Sequence, residues 1–269
     1  MFYNAKNHTL TIDGDTTDFI SFGKGKKNLV IIPGVGDGLK TAKGLAIPFA
    51  FMYRLFAKDF TVYIMSRKRN IPENYSTQQM AADMHKVLQS VGVEKTSVLG
   101  VSMGGMIAQY LAIDFPDFVE KLVLAVTLAR PNDTVKERCE IWIKSAQEKD
   151  YQAIMKDSAL YSYSDEYLRK NKMMLNVISK VGSPKNFDRF ITFSKACMIH
   201  NAYEELGKIT CPTLVIGGKQ DKIVTYEASE EIASKIPNAK LKTYEKFGHA
   251  LYEEAKDFNT AVYEFCCGK

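Results

Sequence analysis

A serine hydroxyl becomes a useful nucleophile only when a base takes its proton, and that base works best when a carboxylate fixes its tautomer. The run SVLGVSMGGMIAQYLA, residues 97–112, holds the pattern G-x-S-x-G from Gly100 to Gly104, with Ser102 at its centre. The apolar residues ending at Leu99 read as a strand and those from Met103 as a helix, so Ser102 falls on a strand-to-helix turn. Glycines on both sides let strand and helix approach closely, and the free N–H groups of a helix start favour developing negative charge. The chemistry implied is acyl transfer through a serine. The five-residue pattern alone is weak, because a Gly-rich turn can match it by chance. The strand before it and the helix after it give it weight.

The base comes from four histidines. His8 sits in an N-terminal hairpin and reads as exposed. His85 lies inside a helix, as a surface or boundary residue. His200 ends a helix, where histidines serve capping, although it could border a pocket. His249, in KFGHALYEEA, directly follows the last strand and precedes the last helix. A loop there hangs over the carboxyl edge of a parallel sheet, which favours His249. For the acid, TLVIGGKQDKIV supplies a strand, a pair of glycines and then Asp221. The bland reading of Asp221 is an Asx turn closing the strand. Asp133, in ARPND, competes for the role. Asp221 is preferred, because the glycines before it let a turn reach towards His249.

A second loop invites phosphate chemistry. In LVIIPGVGDGLKT, residues 29–41, Gly34, Gly36 and Gly38 alternate after an apolar run, and Lys40 and Thr41 fall where a Walker A motif wants its Lys and Thr. Leu39 stands where that motif and the dinucleotide pattern both need glycine. No acidic ribose partner follows, so neither phosphate loop is supported and no cofactor is expected.

The elements that must position these groups are legible in outline. The chain has 269 residues, 46% of them hydrophobic, with 36 basic and 31 acidic side chains mixed along it. This mild balance, without a basic run, does not argue for nucleic acid. The cysteines Cys139, Cys197, Cys211, Cys266 and Cys267 show no metal-ligand spacing, so they read as reduced thiols in the cytosol and no metal is expected. The N-terminal MFYNAKNHTLTIDGD carries no apolar signal region, and the apolar stretch 44–57 is too short to span a bilayer; a soluble, cytoplasmic protein is expected. A hairpin is predicted around Asp13-Gly14. Apolar runs at 29–32, 61–65, 97–99, 121–126, 213–216 and 241–244 then alternate with helical stretches near 43–57, 77–90, 103–114, 226–236 and 252–265. That alternation means a mostly parallel sheet with helices on both faces. Residues 131–206 show no strand, and are rich in Met and aromatics, with helix starts at Ser164 and at Ser183-Pro184. They read as a helical cap inserted into a core of residues 1–130 and 207–269.

The chain order Ser102, Asp221, His249, carried by GVSMGG, GGKQDKIV and FGHALYEEA with a helical insertion between strands, resembles the α/β-hydrolase superfamily, within it the small capped esterase, lactonase and C–C hydrolase group. The resemblance implies an α/β-hydrolase fold and a serine hydrolase acting on a small ester or lactone. C–C bond hydrolysis, acyl transfer or a slow hydrolase-fold receptor are the alternatives. In that family a His-Gly-x loop supplies one oxyanion donor; here it is Pro33-Gly34-Val35. The resemblance thus implies the Val35 N–H as one donor and the Met103 N–H as the second. Met155, Met173, Met174 and Met198 are candidates to line the substrate pocket, since Met adapts to varied ligand shapes. LAIPFAFMYRLF, from Leu45, is apolar beyond one helix face and reads mainly as core, in part as acyl pocket. RKRN, Arg67 to Asn70, reads as a solvated rim loop with surface ion pairs, or more sharply as a dock for an acidic substrate group.

Overall fold

A strand that is apolar at every position must be covered on both faces, and this chain has several. The computed structural model describes residues 2–178 and 182–268, and of 174–178 the backbone alone. Its strands are β1 (Lys6–Ile12), β2 (Asp15–Phe22), β3 (Lys27–Ile32), β4 (Phe60–Met65), β5 (Thr96–Val101), β6 (Val119–Ala125), β7 (Thr213–Gly218) and β8 (Lys240–Tyr244). They form one sheet in the order β1-β2-β4-β3-β5-β6-β7-β8. The β1–β2 hairpin turns through Asp13 and Gly14, whose positive φ values of 50° and 85° suit the tight turn of twisted strands. β2 pairs antiparallel with β4, and every pairing from β4 to β8 is parallel.

The helices are α1 (Ala46–Met52), α2 (Thr77–Ser90), α3 (Met103–Asp114), α4 (Asp133–Gln147), α5 (Tyr151–Ser162), α6 (Asp165–Ile178), α7 (Asp188–Ile199), α8 (Tyr226–Lys235), α9 (Leu251–Glu254) and α10 (Phe258–Cys267). Alternate strand residues separate into two cores. Val30, Ile32, Val98 and Leu122 pack with α2, α3 and α8 on one face. Leu29, Ile31, Leu99 and Val123 pack with α1 and α10 on the other. Ser76 opens α2 with a capping box, its hydroxyl accepting from the Gln79 N–H while the Gln79 side-chain oxygen accepts from the Ser76 N–H. No helix among the described residues is long and apolar enough to cross a membrane.

Three expected boundaries differ. The stretch read near 43–57 is α1 followed by a 3-10 turn over Arg54–Lys58; the break is at Tyr53, which leaves the helical region (φ −106°, ψ 24°) with its ring buried. The stretch near 252–265 divides because Ala255 is extended (φ −78°, ψ 112°), and α10 restarts after Asp257. Ser183-Pro184 does not start α7. The chain stays irregular until Asn186, whose side-chain oxygen accepts from the Asp188 N–H at 2.6 Å and so supplies the start signal. Between β6 and β7 the described residues hold only helices α4 to α7 and a following 3-10 turn, Tyr203–Lys208.

The sheet order itself makes a crevice. β3 and β5 are neighbours, but the chain leaves β3 towards β4 and leaves β5 towards β6, on opposite sides. Connections diverging from adjacent carboxyl ends leave a cleft between them, the usual ligand position in open α/β sheets.

Candidate active site

Ser102 stands at that cleft, between β5 and α3, with φ 54° and ψ −123°. This is a strained conformation for a residue with a side chain, and surrounding contacts hold it. Its N–H donates to the Ala125 carbonyl at 2.9 Å, and its carbonyl accepts from Thr127 Oγ1 at 2.7 Å. The turn can be this tight because a Cβ on Gly104 would lie only 1.9 Å from the Ile32 carbonyl oxygen.

The acid and base loops leave adjacent strands β7 and β8 and are bonded to one another. The Lys219 N–H donates to the Tyr244 carbonyl at 2.9 Å, and the Gln220 N–H to the Phe247 carbonyl at 3.1 Å. Asp221 Oδ1 accepts from the N–H groups of Ile223 (2.8 Å) and Val224 (3.0 Å), an Asx-type turn that aims Oδ2 away from its own loop. Oδ2 lies 2.8 Å from His249 Nδ1, and His249 Nε2 lies 2.9 Å from Ser102 Oγ. Both His249 and Asp221 are buried, while Ser102 keeps partial exposure. The bland and functional readings of Asp221 are therefore compatible, since one oxygen closes the turn and the other faces the imidazole. Asp133 is exposed in the first turn of α4, and Asp221, not Asp133, is the carboxylate bonded to His249.

The other histidines have structural surroundings. His8 is half-buried against Ser21 Oγ at 2.7 Å rather than exposed, and burial lowers its pKa. His85 stacks on Phe115 with ring centroids 3.8 Å apart. His200 is buried away from the cavity, with Nδ1 2.8 Å from Thr77 Oγ1 and Nε2 3.4 Å from Gln109 Oε1. Desolvation pushes its pKa down to about 3, so it is neutral.

Ser102 and His249 open onto a cavity of about 390 Å³. Pro33, Gly34 and Val35 form part of its wall beside the serine, and Met103 is the first residue of α3, directly after Ser102. The first turn of a helix leaves N–H groups without intrahelical partners, so the main chain following Ser102 has donors to offer. The apolar wall comes from Leu45, Phe49, Met52 and Tyr53, with Trp142 of α4, Ile223 and Tyr252. Ser158 and Ser162 of α5 add hydroxyls, and Glu253 adds a carboxyl. Glu253 accepts a 2.6 Å hydrogen bond from the Tyr163 hydroxyl; burial raises its pKa, and that bond opposes the rise.

Three of the four methionines expected in this wall, Met155, Met173 and Met198, are elsewhere. Met173 is 83% exposed, and Met155 and Met198 are half-buried without reaching the cavity. The side chain of Met174 lies outside the described residues. Helix phase explains Met198 and Met155. The inward stripe of α7 is Phe190, Phe193, Ser194 and Cys197, which leaves Met198 beside it. On α5 the inward row is Ile154, Ser158 and Ser162, one position away from Met155. The segment from Leu45, read mainly as core, supplies Leu45, Phe49, Met52 and Tyr53 to the wall. Tyr252, Ser158 and Ser162 were missed; the i, i+4, i+8 spacing from Ile154 was the available signal. In the RKRN loop, Lys68 pairs with Asp15 (2.9 Å) and Asp83 (3.0 Å), both partly exposed, and Arg69 with Asp18 (2.7 Å), whose carboxylate is buried, so the ion pairs of the solvated-loop reading form but are only partly solvated. Arg67 departs from that expectation, because its side chain is fully buried.

A family model described as serine aminopeptidase, S33, matches residues 26–256. A curated protein of Caulobacter sp. (strain K31), named "Putative carbamate hydrolase RutD", is 26% identical over 204 residues, covering 75% of this chain and 76% of its own length. The crystal structure of MGS-M2, an alpha/beta hydrolase enzyme from a Medee basin deep-sea metagenome library, matches with TM-score 0.83 at 20% identity, over 97% of this chain and 98% of that one. The enol-lactonase from Burkholderia xenovorans LB400 matches with TM-score 0.82 at 18% identity, over 96% of this chain and 99% of that one. At such identities these two structures establish the shared α/β-hydrolase fold.

Proposed function

The chain belongs to the serine aminopeptidase (S33) family of α/β-hydrolases, and on that footing we propose that it cleaves a small carboxylic ester or lactone through an acyl-enzyme intermediate. The observation that carries the proposal is the continuous line from Asp221 through His249 to Ser102, with contacts of 2.8 and 2.9 Å, ending at a mostly apolar cavity. His249 Nε2 takes the Ser102 proton as Oγ attacks the substrate carbonyl. Asp221 Oδ2 holds Nδ1–H and steadies the imidazolium that results. The N–H groups of Val35 and Met103 receive the oxyanion, each worth about 3 kcal/mol in the transition state. His249 then returns the proton to the leaving alkoxide. Water, deprotonated by the same imidazole, attacks the acyl-serine and releases the acid.

The substrate's apolar part is expected to lie along Leu45, Phe49 and Met52, beneath Trp142 of the helical insertion 131–206, which acts as a cap on the core of 1–130 and 207–269. The relatives named as an enol-lactonase and a carbamate hydrolase support carbonyl substrates with an oxygen or nitrogen leaving group, and the free thiols suit a cytoplasmic setting. The test is hydrolysis of short-chain nitrophenyl esters, δ-lactones and aryl carbamates by the purified protein and by Ser102→Ala. The substitution is expected to lower turnover by about 10⁶ with folding intact. Near-normal turnover by the variant would remove the serine mechanism.

A further inference from the structure

We propose that Arg67 is a positioning residue for the oxyanion loop, doing with a buried guanidinium what the loop's own sequence, Pro33 in place of a polar side chain, cannot do; the inference rests on the serine mechanism proposed above. Arg67 follows β4, and its side chain is 0% exposed. Its Nη2 donates to the carbonyls of Pro33 at 2.7 Å and Gly34 at 3.1 Å. The second contact has a specific consequence. The Gly34 carbonyl and the Val35 N–H belong to one planar trans peptide, in which the C=O and N–H bonds point in opposite directions and their dipoles add. Fixing the oxygen against a guanidinium therefore fixes the direction of the N–H. Donation to an amide oxygen also polarises the unit and strengthens its N–H as a donor. Gly34 lies against the nucleophile, since a Cβ built there would be 3.4 Å from Ser102 Cβ. The peptide that Arg67 holds is thus the one beside the reacting serine.

The guanidinium is itself held from two directions. Asp37 Oδ2 accepts from the Arg67 main-chain N–H at 3.1 Å and pairs with Nη1 at 3.6 Å. Arg189 of α7 donates to the same Oδ2 at 3.2 Å and also bonds the Lys68 carbonyl. Both guanidinium groups pack over the Phe193 ring, at 5.3 and 5.1 Å. A cap helix, the oxyanion loop and the loop after β4 meet in one buried cluster of two cations and one carboxylate. Both carbonyls are held by the one nitrogen Nη2, placed there by the planar guanidinium lying over Phe193, a placement that a flexible lysine ammonium reproduces only in part.

The experiment compares wild type, Arg67→Met, Arg67→Lys, Lys68→Met and Ser102→Ala. It measures nitrophenyl acetate kinetics, inhibition by an alkylboronic acid that mimics the tetrahedral anion, thermal melting, and amide hydrogen exchange of residues 33–38. For Arg67→Met, kcat is expected to fall about 10²-fold, the scale of losing one oxyanion donor. KM should stay within about threefold, boronate affinity should fall with kcat, and exchange at 33–38 should quicken. Arg67→Lys should lose about tenfold in kcat, a partial rescue, and Lys68→Met should match wild type. A folded Arg67→Met with kcat within threefold of wild type, or with unchanged exchange at 33–38, overturns the inference. If Arg67→Met does not fold, Arg67→Lys decides by the same two criteria. Failure of the underlying mechanism looks different: Ser102→Ala would then match wild type, while exchange at 33–38 still reports whether Arg67 braces the loop.

Discussion

Replacing Gly104 with alanine adds one methyl group, and the structure sets what that methyl must displace. It would stand 1.9 Å from the Ile32 carbonyl oxygen, 2.6 Å from the Ile32 carbonyl carbon and 2.9 Å from the Pro33 oxygen. All three are main-chain atoms of β3 and its loop, so no rotamer change relieves the clash. Against an ordinary 3.4 Å contact the shortest approach lacks 1.5 Å, and α3 must retreat from β3 by roughly that much. Overpacking of this kind costs about 1–3 kcal/mol, and the rigid neighbours place it near 3. The retreat carries Ser102, which immediately precedes α3, away from His249 Nε2, now 2.9 Å distant. Misplacement by about 1 Å costs on the order of 10² in rate. Urea unfolding should therefore show a loss of about 3 kcal/mol, and ester turnover a fall of at least about 10²-fold. Gly207→Ala is the control, since a Cβ there meets nothing within 4 Å. A Gly104→Ala protein within about 1 kcal/mol and threefold in kcat of wild type would refute the reasoning that the glycine exists for helix–strand approach.

Asp221→Asn should lower kcat about 10⁴-fold by favouring the wrong imidazole tautomer, whereas Asp133→Asn should leave it within twofold; reversal of the pair in steady-state kinetics would transfer the acid role. Phe49→Ala should extend the preferred acyl chain by enlarging the cavity, while Met173→Ala, at an 83% exposed position, should not, as read from a series of nitrophenyl esters. His200 predicts an acid sensitivity. The unfolded chain takes up its proton near 6.5 and the folded chain only near 3, so the unfolded state binds more protons between those values and stability falls as pH falls. The slope from this one group is at most about 1.4 kcal/mol per pH unit, present between pH 6.5 and about 3 and absent outside that window. His200→Gln should flatten it in urea melts at pH 4.5 against pH 7.

The residues proposed to carry the chemistry stand out in the sequence because their signals are local. A glycine two positions either side of Ser102, between a strand pattern and a helix pattern, specifies a tight turn whatever the rest of the chain does. The strand runs at 29–32, 61–65 and 213–216 likewise fall inside β3, β4 and β7, because a continuously apolar short run has few other places to go. The contacts themselves belonged to tertiary structure. Asp221 and His249 are 28 residues apart, and what brings them to 2.8 Å is the parallel pairing of β7 with β8. The pocket wall was misread because composition names the residue types in a helix but not the phase in which that helix meets its neighbours. Met155 is one position past Ile154 in the row Ile154, Ser158, Ser162, and Ser158 faces the cavity while Met155 does not. Arg67 shows the limit most sharply. In RKRN it is one cation among three, and nothing within four residues distinguishes it. Only the meeting of the loop after β3, the loop after β4 and helix α7 buries Arg67 while Lys68 and Arg69 remain at the surface, because burial of a charge depends on partners that lie far away in the chain and close in space.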